Sequence, residues 1–161
     1  MRILYIHRHA KAVKEGYEHD FSRSLRLKGI EDAHRMGRYL KHKDILADLV
    51  ISSPANRALQ TAELVTEHTG EKLVKDERLY KGGWLSILSV LREQDAALQA
   101  IRIVGHNPEL EELAAGLCGI RAGGIHLATC GVLCISCDII AWDALETNTG
   151  ALEWSIRPLH L

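Results

Sequence analysis

Short apolar runs recur along the chain, at Ile3–Ile6, Leu49–Ile51 and Ile101–Val104. Runs of this kind predict strands of a parallel sheet, because such strands are covered on both faces and show no apolar–polar alternation. Arg102 is the one charged residue inside them. We therefore expect three buried strands and one charged side chain that needs a partner in the core.

Longer segments with helical periodicity separate these runs. In the first of them, apolar or small residues recur at positions 27, 30, 33, 37 and 40, which is the spacing of one helix face. The first predicted helix begins near Leu27 and carries Lys41-His42-Lys43 at its C-terminus, where positive charge suits the helix dipole. The other predicted helices cover approximately residues 54–68, 84–92 and 108–117. In the tail, Gly131–Cys137 and Ala151–Ile156 predict strands joined by short loops, typical of an antiparallel edge.

These patterns predict an α/β fold formed by a single three-layer domain over residues 1–161. Its central sheet is mostly parallel with an antiparallel C-terminal edge, and helices cover both faces. The sequence has no internal repeat, low-complexity tract or linker.

Composition and charge exclude several classes of protein. The chain has 161 residues and a formal net charge of −1, so it has no overall basic field for nucleic acid or an anionic membrane. The apolar run near the N-terminus is too short for a signal-peptide core, and no run is long enough to cross a membrane. We expect a cytoplasmic monomer with neither nucleic-acid nor membrane partners.

The four cysteines, Cys118, Cys130, Cys134 and Cys137, are expected to be reduced, buried side chains. Cys134 and Cys137 are an odd number of residues apart in a predicted strand and so face opposite sides. No histidine lies at the spacing that would complete a zinc site.

Residues with possible catalytic or binding roles follow the ends of the three apolar strands. His7, Arg8 and His9 follow the first strand, "SSPANRALQTA" with Arg57 follows the second, and "GHNP" with His106 follows the third. Since the carboxyl ends of parallel strands meet at one edge of a sheet, these side chains should lie together. Guanidinium groups and helix N-termini bind phosphoryl groups.

The two later segments also carry helix-start signals. Ser53 and Asn107 each precede a proline, which predicts N-caps at these residues with Pro54 and Pro108 in the first helical position. Each helix would then direct its free N–H groups toward the same edge.

Taken together, "RHA", "SSPANRALQTA" and "GHNP" resemble the histidine phosphatase superfamily. The longer pattern "LYIHRHAKA…HDFSRSLRLKGIEDAHRMG" is similar to its small branch, the SixA-like phosphohistidine phosphatases. The resemblance extends from Leu4 to "LATCGVLCISCD", which is nearly the whole chain.

The resemblance implies a phosphatase in which His9 is the nucleophile and forms a phosphohistidine intermediate. Arg8, Arg57 and His106 would form the surrounding phosphate pocket, and Thr129 is a further candidate for its lining. His7 lies outside the core motif. No cofactor or metal is implied, and the expected partner is a protein that carries phosphohistidine.

The general acid is not identified by the sequence. Larger members of the superfamily carry an acidic residue after the second helix, where this chain reads "ERLYKGGWLS". Glu77 in this segment and Asp20 in the first long loop are the candidates. An enzyme without a general acid should cleave N–P bonds more readily than alkyl phosphate esters, because an imidazole leaves more readily than an alkoxide.

Three alternatives remain open. A metal-dependent hydrolase would use His7, His9 and His106 as ligands, although Arg8 and Arg57 would place positive charge beside the cation. The pocket would also suit a catalytically weak module that binds phosphoproteins, or a phosphatase for small phosphate esters. The roles of Arg23 and the physiological substrate are not determined.

Overall fold

A computed structural model describes all 161 residues and contains one six-stranded sheet. The strands are β1 (Arg2–Arg8), β2 (Leu49–Ser52), β3 (Leu73–Lys75), β4 (Ala100–Gly105), β5 (Val132–Cys137) and β6 (Gly150–Ile156), in the spatial order β3-β2-β4-β1-β5-β6. β1 to β4 are parallel, β5 is antiparallel to β1, and β6 is antiparallel to β5. The predicted fold class is confirmed, including the antiparallel C-terminal edge.

Four helices cover the two faces of this sheet: α1 (Leu27–His42), α2 (Asn56–Thr69), α3 (Gly83–Arg92) and α4 (Glu109–Cys118). α3 and α4 contribute Ile87 and Leu110 to the main core cluster. α1 and α2 pack together on the opposite face, where Met36 and Val65 share a second cluster. No helix combines the length and the apolar character that a membrane crossing requires.

Both predicted helix starts are wrong by one or two residues. α2 begins at Asn56 with Ala55 as its N-cap, and α4 begins at Glu109 after Pro108. Oγ of Ser53 accepts from the Ala55 N–H at 3.2 Å, just before the helix begins, and also contacts His106. Asn107 donates a hydrogen bond from Nδ2 to the Leu127 carbonyl at 2.9 Å. β3 has no counterpart among the predicted strands, and its three residues are partly or fully exposed.

Arg102, the charged residue within the apolar strands, is fully buried. Its Nη2 lies 2.7 Å from Oε2 of Glu71, and its guanidinium carbon lies 5.0 Å from the centre of the Tyr5 ring. The charge is therefore paired inside the core, as a buried charge requires.

The topology brings the segments after β1, β2 and β4 to one edge. β4 lies between β1 and β2 in the sheet, and all three strands run in the same direction. The residues that follow these strands therefore surround a common space at their carboxyl ends.

Candidate active site

His9 follows β1, and backbone hydrogen bonds hold it on both sides. Its N–H donates to the Gly105 carbonyl at 3.0 Å, and its own carbonyl accepts from the N–H of Cys130 at 3.0 Å. The next residue, Ala10, donates its N–H to Oγ1 of Thr61 at 2.9 Å. Neighbouring segments thus fix the position from which the imidazole projects.

The ring of His9 has its proton on Nδ1 and its lone pair on Nε2. Nδ1 lies 2.7 Å from the Ala10 carbonyl oxygen, which can only accept a hydrogen bond, so the proton is assigned to Nδ1 and the lone pair to Nε2. Burial, and to a smaller extent the charges of Arg57 and Arg8, lower the pKa of His9 to about 4. The hydrogen bond to Ala10 raises this pKa but does not offset the other effects. The imidazole is therefore neutral, and hence nucleophilic, at neutral pH.

Two arginines reach this space from different elements. Arg8, the last residue of β1, is half-buried and donates from Nη1 to the Leu127 carbonyl at 3.1 Å. Arg57 is the second residue of α2, and only 8% of its side chain is exposed. Both line the same cavity as His9.

His106 follows β4 and lies beside His9, with 5.3 Å between the ring centroids. Its Nε2 lies 2.8 Å from Oγ of Ser53, and its Nδ1 is buried with no hydrogen-bond partner. Burial, together with the charges of Arg57 and His9, lowers the pKa of His106 to about 3. His106 is thus a second neutral imidazole at the site.

A cavity of about 400 Å³ joins these groups. Arg8, His9, Arg57 and His106, which we call the phosphate pocket, all line it, and Thr129 lines it as well. The remaining lining residues are Lys11, Ala12, Lys14, Arg23, Arg26 and Asn107, so the lining contains no carboxylate. The cavity is suited to an anion, and the structure brings together all four residues of the predicted pocket.

Asp20 lies next to this cavity and is bound to Arg57. Arg57 donates from Nη1 to the Asp20 carbonyl at 2.9 Å and from Nη2 to its carboxylate at 3.1 Å. Tyr80 donates its hydroxyl to the same carboxylate at 2.9 Å. Partial burial opposes ionisation, but the Tyr80 hydrogen bond and the Arg57 charge outweigh it and hold the pKa of Asp20 below its ordinary value.

Glu77, the other candidate acid, is exposed, and its side chain makes no hydrogen bond or ion pair. It lines a neighbouring cavity of about 490 Å³ together with Asp20, Phe21 and Tyr80, and does not line the cavity that holds His9. Of the two candidates, only Asp20 therefore contacts a residue of the phosphate pocket.

His7 is completely buried below the site and does not line the cavity. Burial lowers its pKa to about 3, and its Nε2 contacts Sγ of Cys130 at 3.6 Å. All four cysteines are free thiols, and burial raises the pKa of Cys134 to about 11 and that of Cys137 to about 12. Three of the cysteines are buried as expected, whereas the prediction is wrong for Cys118, which is only partly buried.

Three residues that support the site were not predicted from the sequence to do so. Tyr80 binds Asp20 and lies edge-on to His106, with 5.6 Å between the ring centroids. Ser53 was predicted only as a cap, and its Oγ also contacts His106. Thr61 accepts from the Ala10 N–H and donates to the Arg57 carbonyl at 2.8 Å, so it links the His9 segment to α2. A threonine one turn after Arg57 was the available signal for this link.

Comparison with known proteins identifies the family of this chain. A family model described as "Histidine phosphatase superfamily (branch 1)" matches residues 4–84, just over half of the chain. The chain belongs to the histidine phosphatase superfamily. The matched region contains His9, Arg8 and Arg57. A search of curated proteins by sequence gives no significant match.

Several solved structures are similar to this chain over nearly its whole length. The SixA protein of Agrobacterium tumefaciens, assigned as a phosphohistidine phosphatase, superposes with a TM-score of 0.81 at 24% identity, covering 98% of each chain. A protein histidine phosphatase SixA in complex with tungstate gives a TM-score of 0.85 at 21% identity, again over 98% of both chains. A mutant phosphoserine phosphatase of Entamoeba histolytica bound to phosphoserine gives 0.70 at 17% identity over 100% of both. At these identities the similarity shows a shared fold.

Proposed function

We propose that this phosphatase removes phosphoryl groups from phosphohistidine on proteins, through a covalent intermediate on His9. The observation that carries the proposal is the pairing of a neutral, oriented His9 with Arg8 and Arg57 in a cavity lined by no carboxylate. An imidazole attacks phosphorus only when its lone pair is free. Burial is the main cause that keeps His9 neutral, and the two guanidinium groups, which lower its pKa further, also attract the phosphoryl group.

In the first step Nε2 of His9 forms a bond to phosphorus while the N–P bond to the substrate imidazole breaks. The electron pair of that bond stays on the leaving nitrogen, which departs as a neutral imidazole when it is protonated. In the second step water attacks the phosphoryl group on His9, releases inorganic phosphate and regenerates the free imidazole. Division into capture and release is the strategy of covalent catalysis.

Arg8, Arg57 and His106 are proposed to stabilise the phosphoryl oxygens during transfer. Phosphoryl transfer depends mainly on positioning and on electrostatic stabilisation of charge spread over these oxygens. Arg57 is anchored by Asp20 on one side of its planar fork, and His106 has an unpartnered Nδ1. The pocket therefore holds its donors in place before the substrate arrives.

The leaving group is the basis for preferring phosphohistidine over an alkyl ester. Asp20 is held in its ionised form by Tyr80 and Arg57, and an ionised carboxylate has no proton to give. Glu77 lines a separate cavity. Without a positioned acid, an alkoxide would leave slowly, whereas an imidazole departs near neutral pH without such help. The structural similarity to two SixA proteins, one of them bound to tungstate, supports the same assignment.

Hydrolysis of small phosphate esters is the second candidate function. The cavity of about 490 Å³ beside Asp20 contains Phe21 and Tyr80 and has room for an organic leaving group. The fold similarity to a phosphoserine phosphatase points the same way. This function would require Asp20 to carry a proton in the transition state.

A substrate panel separates these functions. Phosphate release is followed from a phosphohistidine protein, free phosphohistidine, an aryl phosphate and phosphoserine at equal concentration. We expect the phosphoramidates to react fastest, the aryl phosphate next, and phosphoserine slowest by a wide margin. Equal rates on phosphoserine and phosphohistidine would favour the ester phosphatase, and tight binding without any release would favour a binding module.

A further inference from the structure

The charged residues of the chain are distributed very unevenly about the phosphate pocket. A second cavity, of about 290 Å³, adjoins the first and shares Lys11 and Thr129 with it. Nine of the 20 lysines and arginines line these two cavities, against one of the 21 aspartates and glutamates. A chain with a net charge of −1 thus presents a strongly positive face around its site.

Part of this charge has no carboxylate to neutralise it. Lys28 and Arg35 share Asp32, and Arg23 pairs with Asp20. By contrast, no ion pair involves four cations that we call the basic rim: Lys11, Lys14, Arg26 and Arg157. The rim is therefore free to interact with a charged partner.

The topology explains why residues distant in sequence form one rim. Lys11 and Lys14 follow β1, and the backbone N–H of Arg26 donates to the Lys11 carbonyl at 3.0 Å. Arg157 follows β6, which runs in the same direction as β1 because both are antiparallel to β5. All four cations thus lie at the edge that carries His9.

A single phosphoryl group does not account for this many cations. Arg8 and Arg57 in the phosphate pocket already match its dianionic charge. Four further cations around the pocket would repel one another and any cationic substrate unless negative charge lies opposite them. A small phosphate monoester would place no such charge at Arg157, which lines only the second cavity.

We propose that the basic rim binds an acidic protein surface around the phosphorylated histidine, so that the preferred substrate carries aspartate or glutamate beside that residue. This inference rests on the proposed function, whose substrate class it narrows. The rim selects the partner by charge, and the phosphate pocket carries out the chemistry.

The test uses two phosphohistidine peptides of equal length, one with glutamates and one with glutamines flanking the phosphorylated residue. We expect the wild-type enzyme to show a kcat/KM at least tenfold higher for the glutamate peptide, with the advantage residing in KM and disappearing at high salt. In the triple variant Lys14→Gln, Arg26→Gln, Arg157→Gln the ratio should fall to about one. Lys72→Gln, which changes an exposed lysine next to β3, serves as the control and should retain the wild-type ratio.

Three outcomes would overturn the proposal. One is equal kcat/KM for the two peptides in the wild-type enzyme, and another is an unchanged ratio in the triple variant. The third is tighter binding of a DNA duplex than of the glutamate peptide to the His9→Ala variant, measured by fluorescence anisotropy, which would assign the rim to nucleic acid.

Failure of the proposed function gives a different result. In that case neither peptide nor free phosphohistidine is hydrolysed, and binding of the glutamate and glutamine peptides to the His9→Ala variant is compared by fluorescence anisotropy. Tighter binding of the glutamate peptide to the His9→Ala variant would then support the proposed role of the basic rim independently of catalysis. Equal binding of the two peptides would refute that role.

Discussion

Arg57→Lys separates the charge of this side chain from its forked geometry. The guanidinium of Arg57 is almost buried and binds Asp20 through Nη1 and Nη2 at 2.9 and 3.1 Å. Its remaining N–H groups are the ones available to a phosphoryl oxygen. Lysine keeps the positive charge but replaces the planar fork with a flexible ammonium group that cannot hold Asp20 and the phosphoryl group in the same way.

The expected loss follows from the hydrogen bond that disappears in the transition state. A hydrogen bond to a charged group contributes about 1.5–3 kcal/mol, so kcat/KM should fall by about 10- to 150-fold. Folding should change little, because the Asp20 carboxylate is 52% exposed and a solvent-screened ion pair contributes at most about 1 kcal/mol.

Activity on phosphohistidine and the melting temperature are measured together for this variant. Arg38→Lys, which alters an exposed arginine of α1 with no ion pair, is the matched control and should behave like the wild type. Wild-type kcat/KM in Arg57→Lys would show that the arginine does not bind the phosphoryl group. A large drop in melting temperature with a proportional loss of active enzyme would assign it a structural role instead.

Three further predictions concern the acid, the nucleophile and the metal. Asp20→Asn and Glu77→Gln should each leave the phosphohistidine rate within about tenfold of wild type, since a true general acid contributes about 10²–10⁴-fold, and a larger loss in either would identify the acid. The ring of His9, followed by NMR against a His9→Gln spectrum, should titrate near pH 4, and a midpoint near 6.5 would contradict the assigned environment. Because the unfolded chain binds this proton first, stability should decline as pH falls from about 6.5 to about 4. Excess EDTA should leave the rate unchanged and vanadate should inhibit, whereas loss of activity restored by zinc or manganese would indicate a metal-dependent hydrolase.

The sequence predicted the position of the phosphate pocket because that position depends on strand ends alone. His9, Arg57 and His106 each follow an apolar run, and parallel strands must deliver such residues to one edge. The contacts between these residues and the rest of the site could not be predicted in the same way. Asp20 meets Arg57 and Tyr80 across 37 and 60 residues of sequence, along loop paths that no local pattern encodes.

The predicted helix starts were wrong for a related reason. Ser53 and Asn107 have the residue types of N-caps, and local preference assigns them that role. In the folded chain Asn107 bonds the Leu127 carbonyl instead. Ser53 accepts from the Ala55 N–H before the helix begins and also contacts His106, so tertiary contacts compete with the local signal. Local rules therefore predicted the elements well and their ends less well, and the misassigned Ser53 belongs to the site itself.

Trapping the phosphoryl group on the enzyme tests the central role of His9 most directly. The protein is mixed with a substrate carrying a radiolabelled phosphoryl group, quenched during turnover under alkaline conditions, and digested for peptide mapping. We expect label that is stable in alkali, lost in acid and confined to the peptide containing His9, with none in His9→Ala. Label on Ser52 or Ser53, or undiminished turnover by His9→Ala, would contradict the assignment of His9 as the nucleophile.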